Sequence, residues 1–192
     1  MIIKTSSFNL TDEEFLAFCL DNKNLRIERD SQSNIIIMSP VKDESSGLNS
    51  IVHGQLFIWN MKVKGGLTFE SSAGFTLSNN AVRSPDVSWI EKTKFETAKR
   101  EQKNNKGFLN IVPDFVVEIK SESDSLKELK EKMHEYLDCG VMLGYLIIPE
   151  KEKVLIYQSN REVIEKKFSE KIIADNVVTG FELDLSSWKE MI

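Results

Sequence analysis

Cysteine is scarce in this 192-residue chain: Cys19 and Cys139 are the only two, and they form no Cys-x-x-Cys pair. Each lies in or beside a helix-like stretch, so two small buried thiols are expected rather than a disulfide framework. A reducing, cytoplasmic setting follows as an expectation. Histidine is equally rare. His53 and His134 fall outside any His-x-x-x-His spacing, which leaves zinc chemistry without its ligands. His53 reads as a core-edge or interface residue. No serine sits in a Gly-x-Ser-x-Gly context, which argues against a serine hydrolase. No run of about eighteen uncharged apolar residues is present, so neither a membrane span nor a membrane partner is expected. The opening segment, MIIKTSSFNLTDEEF, lacks the apolar stretch of a secretory leader. Repeats, low-complexity tracts and Pro/Gly-rich linkers are missing too. At this length a single domain spanning 1–192 is expected.

Excess positive charge is also lacking. Thirty acidic residues outnumber twenty-five Lys and Arg, for a net charge of −5. A protein that grips nucleic acid through bulk basicity would look different. A nuclease is not excluded, because carboxylates that hold a divalent ion lower the formal charge, and local charge matters more than the sum.

The patterning that is present reads as mixed α/β. Residues 10–20 predict a helix, with Thr11 as its cap. Residues 25–29 and 34–38 predict a hairpin around 30–33. Residues 40–47 read as a polar loop. A long helix over 48–63 follows from the spacing of Leu48, Ile51, Val52, Leu56 and Trp59, with Gly65-Gly66 as its stop. Short β-like pieces follow at 67–70, 75–77 and 82–90. The lysine-rich run 93–107 lacks a strong apolar face and reads as exposed short helices and loop; it could touch a DNA backbone, though a solvated surface is the commoner reason for such a run. Residues 115–120 form a strong strand and 126–137 a helix. Strands at 143–148, 154–157, 163–168 and 181–183 and a short final helix complete a central sheet flanked by helices.

Two motifs carry candidate chemistry. In PDFVVEIKS, residues 113–121, strand alternation puts Phe115, Val117 and Ile119 on one face. Asp114, Val116, Glu118 and Lys120 share the other. Charge on so apolar a strand costs free energy unless it is paired or metal-bound. The plain alternative is a Glu118–Lys120 ion pair. Asp114 lies about 13 Å back along the strand from Glu118, too far to share an ion, and fits a cap at the strand entry. In SPDVSWI, residues 84–90, Asp86 opens a second apolar strand, where a turn-forming acid is the competing reading. Two acids and a lysine at strand edges make a minimal kit for Mg²⁺-assisted phosphodiester hydrolysis. The carboxylates supply oxygen ligands, and the lysine orients water or offsets developing charge.

Pro85-Asp86 followed by Glu118-Ile119-Lys120 resembles the PD-(D/E)XK motif of the restriction-endonuclease-like superfamily. Four segments, in order and spacing, are similar to the bacterial Uma-two family of restriction-endonuclease-like proteins. They are MSPVKDESSGLNS, GFTLSNNAVRSPDVSWI, PDFVVEIKSESDSLKELKEKMHEYLDCGVMLGYLI and VVTGFELDLSSW. The resemblance covers residues 12–188. It implies a restriction-endonuclease-like fold and a Mg²⁺ cofactor, with Mn²⁺ as a substitute. It also implies Asp86 and Glu118 as metal ligands, the Ile119 carbonyl as a further contact and Lys120 as the catalytic lysine. Glu44 would be an accessory ligand and Lys132 a weaker helper. DNA is the expected substrate and a homodimer the expected assembly, because two strands require two sites. A catalytically weak or inactive module of the same fold, binding DNA or a protein, is the alternative. A structural α/β domain with chance motifs is the third reading.

Overall fold

The computed structural model describes residues 2–3, 10–38, 43–159, 161–173 and 176–191. In chain order, β1 (Ile2–Ile3) precedes α1 (Asp12–Asp21), β2 (Arg26–Arg29), β3 (Ile35–Met38) and α2 (Asp43–Val63). β4 (Gly66–Glu70), β5 (Phe75–Thr76), β6 (Val82–Arg83), β7 (Val87–Glu91) and α3 (Lys92–Glu101) follow. Then come β8 (Leu109–Asn110), β9 (Phe115–Ile119), α4 (Leu126–Asp138), β10 (Leu143–Ile148) and β11 (Lys153–Gln158). β12 (Ile164–Lys167), β13 (Ile172–Ile173), β14 (Glu182–Leu183) and α5 (Trp188–Met191) close the chain.

The mixed α/β class is as expected, but the strands form two six-stranded sheets and a short ribbon rather than one sheet. The main sheet runs β12-β11-β10-β9-β7-β4, and the second runs β1-β3-β2-β6-β5-β8. β9 lies at the heart of the main sheet, parallel to β10 and antiparallel to β7. All five of its residues are buried. Its two faces feed different cores. Phe115, Val117 and Ile119 pack with Leu48, Val52 and Leu56 of α2. Val116 packs with Met133 and Tyr136 of α4. Fully burying a side chain of this kind stabilises by roughly 1.5–3 kcal/mol, so these two layers fix β9 firmly.

Local chemistry explains most element ends. Thr11 caps α1 in a reciprocal capping box with Glu14. Ser125 caps α4 through the Glu128 N–H. Three sequence readings need correction. First, α2 begins at Asp43, so 43–47 is helix and not loop; the rest of that expected loop, 40–42, lies outside the described residues. Its apolar spacing starts only at Leu48 because the first turn, residues 43–46, is entirely polar. Second, residues 92–101 are one ten-residue helix. Phe95 and Ala98 give it an apolar side against Phe75, Ile90 and Ile111, a stripe too narrow to stand out among the lysines. Third, the expected strand 82–90 is broken by Ser84-Pro85-Asp86, so β6 and β7 belong to different sheets. A proline without an N–H is well placed where the chain leaves one ladder for another.

Gly65-Gly66 also has a second reason. The left-handed residue after α2 is Lys64, with φ of 56°. Gly66 is instead the first residue of β4, and a Cβ there would lie 2.2 Å from the Ile90 carbonyl oxygen.

Candidate active site

The break at Pro85 delivers Asp86 to the end of β9. The last register pair of β7 and β9 is Val87 with Val117, so the next residues out, Asp86 and Glu118, face each other across the antiparallel pair. The Asp86 carboxylate caps the strand end: Oδ2 accepts the Ile119 N–H at 2.8 Å. Its Oδ1 lies 3.4 Å from a guanidinium nitrogen of Arg26.

Glu118 projects from the α4 face of β9. Its Oε1 accepts the Tyr136 hydroxyl at 2.8 Å and the Lys132 ammonium at 2.8 Å. Tyr136 and Lys132 stand one turn apart on α4, so one helix face supplies both. The same ammonium reaches Oε1 of Glu28 on β2 at 2.9 Å. Glu28 also accepts the Ser84 N–H at 2.9 Å and pairs with Arg83 at 3.0 Å. Arg83 in turn pairs with Glu135 at 2.6 Å, and Glu135 accepts the Asn79 amide. A buried ionic network therefore runs from the main sheet through α4 to the second sheet.

The electrostatics follow from this arrangement. Burial pushes the Glu118 carboxyl up to about 7, opposed by Lys132 and reinforced by the negative charges of Asp86 and Glu28. Burial likewise raises Asp86, against the Ile119 N–H and the cations Arg26 and Lys132. Glu28 is equally desolvated, yet Lys132 and Arg83 hold it below the usual carboxylate range. Desolvation opposes the charge on Lys132, but Glu118 and Glu28 outweigh it and raise that group.

The other sequence candidates sit elsewhere. Lys120 lies just past β9, with its ammonium 3.1 Å from Glu150 and donating to the Ser121 carbonyl at 2.9 Å. The alternative reading, a Glu118–Lys120 ion pair, is not what forms: the pairs are Lys120–Glu150 and Glu118–Lys132. Beyond Ile119 the chain turns into a tight Ser121–Asp124 loop, in which Asp124 accepts the Ser121 N–H and hydroxyl. Glu44 is exposed in the first turn of α2, whose helix packs on the opposite face of β9. The groups that hold Asp86 and Glu118 come from Arg26, Ile119, Lys132 and Tyr136. Asp114 caps the strand entry as expected: it accepts the Glu91 N–H and pairs with Lys94.

Sequence reasoning missed Glu28, Arg83, Glu135, Tyr136 and Arg26. For Tyr136 a signal existed, four residues from Lys132 on a helix beside the acidic strand. Glu28 gave none, because an acid in an edge hairpin ordinarily faces water.

As a donor set, Asp86, Glu118 and the neighbouring backbone are all oxygen. No cluster of three or more His, Cys, Asp or Glu is gathered into a cage among the described residues. Two carboxylates and a carbonyl suit Mg²⁺, which takes oxygen ligands, better than Zn²⁺, which favours nitrogen and sulfur. Both carboxyls are raised chiefly by burial, and a bound cation would favour their ionised forms. No described helix is long and apolar enough to cross a membrane.

Comparison with known proteins agrees with this fold. A crystal structure from Anabaena variabilis, titled as a "putative nuclease", superposes with a TM-score of 0.74 over 93% of this chain and 98% of its own, at 20% identity. No curated protein matches the chain. Residues 12–186 match the Uma2 family model, described as "Putative restriction endonuclease", and the chain belongs to that family.

Proposed function

We propose that this protein is a metal-dependent endonuclease that hydrolyses DNA phosphodiester bonds. The observation that carries the reading is the pair of carboxylates, Asp86 and Glu118, facing each other at the end of a buried strand pair. Family membership supports it. In this reading Asp86, Glu118 and the Ile119 carbonyl hold Mg²⁺, or Mn²⁺ in its place. Bound there, the ion supplies Lewis acidity and lowers the pKa of an attacking water. Lys120, just past the end of β9, orients that water or offsets charge on the phosphate by exchanging Glu150 for substrate. Lys132 and Tyr136 hold the Glu118 carboxylate in one orientation, and Glu28 holds Lys132. Cleavage of both strands of a duplex calls for a homodimer, and the setting is cytoplasmic.

A second reading is a nuclease-fold module with weak or no catalysis that binds DNA or a protein partner. It is favoured by the partners already in place: Glu118 Oε1 is shared by Lys132 and Tyr136, and Lys120 is paired with Glu150.

The test is incubation of supercoiled plasmid and single-stranded DNA with the purified protein in Mg²⁺, Mn²⁺ or EDTA. The expected result is metal-dependent cleavage that falls by about 10²–10³-fold in Asp86→Ala, Glu118→Gln and Lys120→Ala. Cleavage that survives these substitutions overturns the site. Metal binding without cleavage of any nucleic acid selects the second reading.

A further inference from the structure

α2 is a 21-residue helix that carries one charged end of each sign and nothing charged between them. From residue 45 to residue 61 no Asp, Glu, Lys or Arg occurs. Its inner face, Leu48, Val52 and Leu56, is fully buried. At 100° per residue, Ser46, Ser50, Gly54, Phe57 and Met61 line up within a wedge of about 80° on the far side. That outer face is exposed: Phe57 is 47% accessible, Met61 57% and the adjoining Ile58 58%. Exposed apolar residues gathered on one helix face differ from the scattered ones found on most surfaces.

Gly54 sits in the middle of this face. A Cβ there would meet nothing within 4 Å, and its φ is not positive. Glycine in a helix interior costs roughly 1 kcal/mol against alanine. Nothing among the described residues requires that cost, whereas a second backbone brought close to the helix would.

We infer that the outer face of α2 is a homodimer interface, in which two copies of the helix pack antiparallel about a two-fold axis near residues 53 and 54. This arrangement is self-complementary in size. Phe57 comes over Ser50 of the second copy, and Met61 over Ser46, so the large half of each stripe meets the small half of the other. The helix dipoles run opposed. Gly54 meets Gly54 at the axis. The stripe is about 24 Å long, which places the contact at the small end of specific interfaces. The expected dissociation constant is on the order of micromolar. This inference adds an interface to the dimer invoked above, yet its evidence and its readout do not depend on catalysis.

Sedimentation equilibrium from about 1 to about 300 μM tests it, bracketing the expected affinity. The wild-type chain is expected to dimerise. Gly54→Leu, whose side chain has open space in the monomer, and Phe57→Asp are expected to weaken association at least tenfold while keeping the far-UV spectrum and a cooperative melt. In a Cys19→Ser, Cys139→Ser background, Gly54→Cys should cross-link to itself on mild oxidation, and Glu165→Cys on β12 should not. A chain that stays monomeric throughout, a dimer indifferent to both substitutions, or equal cross-linking at residue 165 overturns the interface. Each result reads molecular mass alone, so loss of the dimer and loss of nuclease activity remain separate outcomes.

Discussion

The Lys132 ammonium lies 2.8 Å from Glu118 and 2.9 Å from Glu28, so one cation on α4 holds together acids from two different sheets. Lys132→Met keeps the length of the side chain and removes the charge. Two buried carboxylates then lose their shared partner. Breaking a buried pair in this way typically costs about 3–5 kcal/mol. Chemical denaturation should show a loss of this size, and a Glu28→Gln change added to it should cost less than it does alone.

Glu118 makes stability depend on pH in a defined direction. Its folded pKa of about 7 lies above the ordinary 4.5, so the folded state holds a proton that the unfolded state has released. The stabilisation from this group is complete below about pH 4.5 and is lost as pH rises through about 7. Melting curves of the metal-free protein should therefore show a falling contribution across that window, and Glu118→Gln should flatten it. In the proposed function Mg²⁺ would displace the same proton, so on that reading it should raise the melting temperature more at about pH 8 than at about pH 5.5.

Two glycines should respond in opposite ways to alanine. In Gly66→Ala the new methyl meets the Ile90 carbonyl at 2.2 Å and the Trp89 ring at 2.5 Å. The backbone oxygen belongs to the β4–β7 ladder and has nowhere to go, so a loss of roughly 1–3 kcal/mol is expected. Gly54→Ala meets open space and should gain up to about 1 kcal/mol in a dilute, monomeric sample. Thermal melts of the two variants compare these signs directly.

Cys19 should be a sluggish thiol. Burial pushes it up to about 11, with Arg29 opposing, from an ordinary value of 9.0. At about pH 8 its alkylation should be about a hundredfold slower than that of an unperturbed thiol. Denaturation should restore the rate, as mass spectrometry of timed quenches would record.

Much of this molecule was legible in the sequence because period and capping are local. The α1 cap, the β2–β3 hairpin, the four apolar residues of β9 and the amphipathic α4 all announce themselves within a dozen residues. Asp86 and Glu118 were legible for the same reason, as acids at the edges of apolar strands. Glu28 and Arg83 were not, because their burial comes from the way a second sheet docks on α4, which no local pattern encodes. α3 was misread since its apolar side amounts to Phe95 and Ala98. The turn of Lys120 toward Glu150 depends on where the chain goes after β9, and alternation along a strand says nothing beyond the strand's end.

The Lys132–Glu28 contact joins positions 104 residues apart. Contacts between such distant positions carry a large loop-closure cost and form late as a chain folds. During synthesis Glu118 emerges from the ribosome before Lys132 and Tyr136, which hold its carboxylate, so a half-made chain holds the acid without its orientation. The geometry of this site is therefore assembled only once α4 has followed β9 and the second sheet has docked on it.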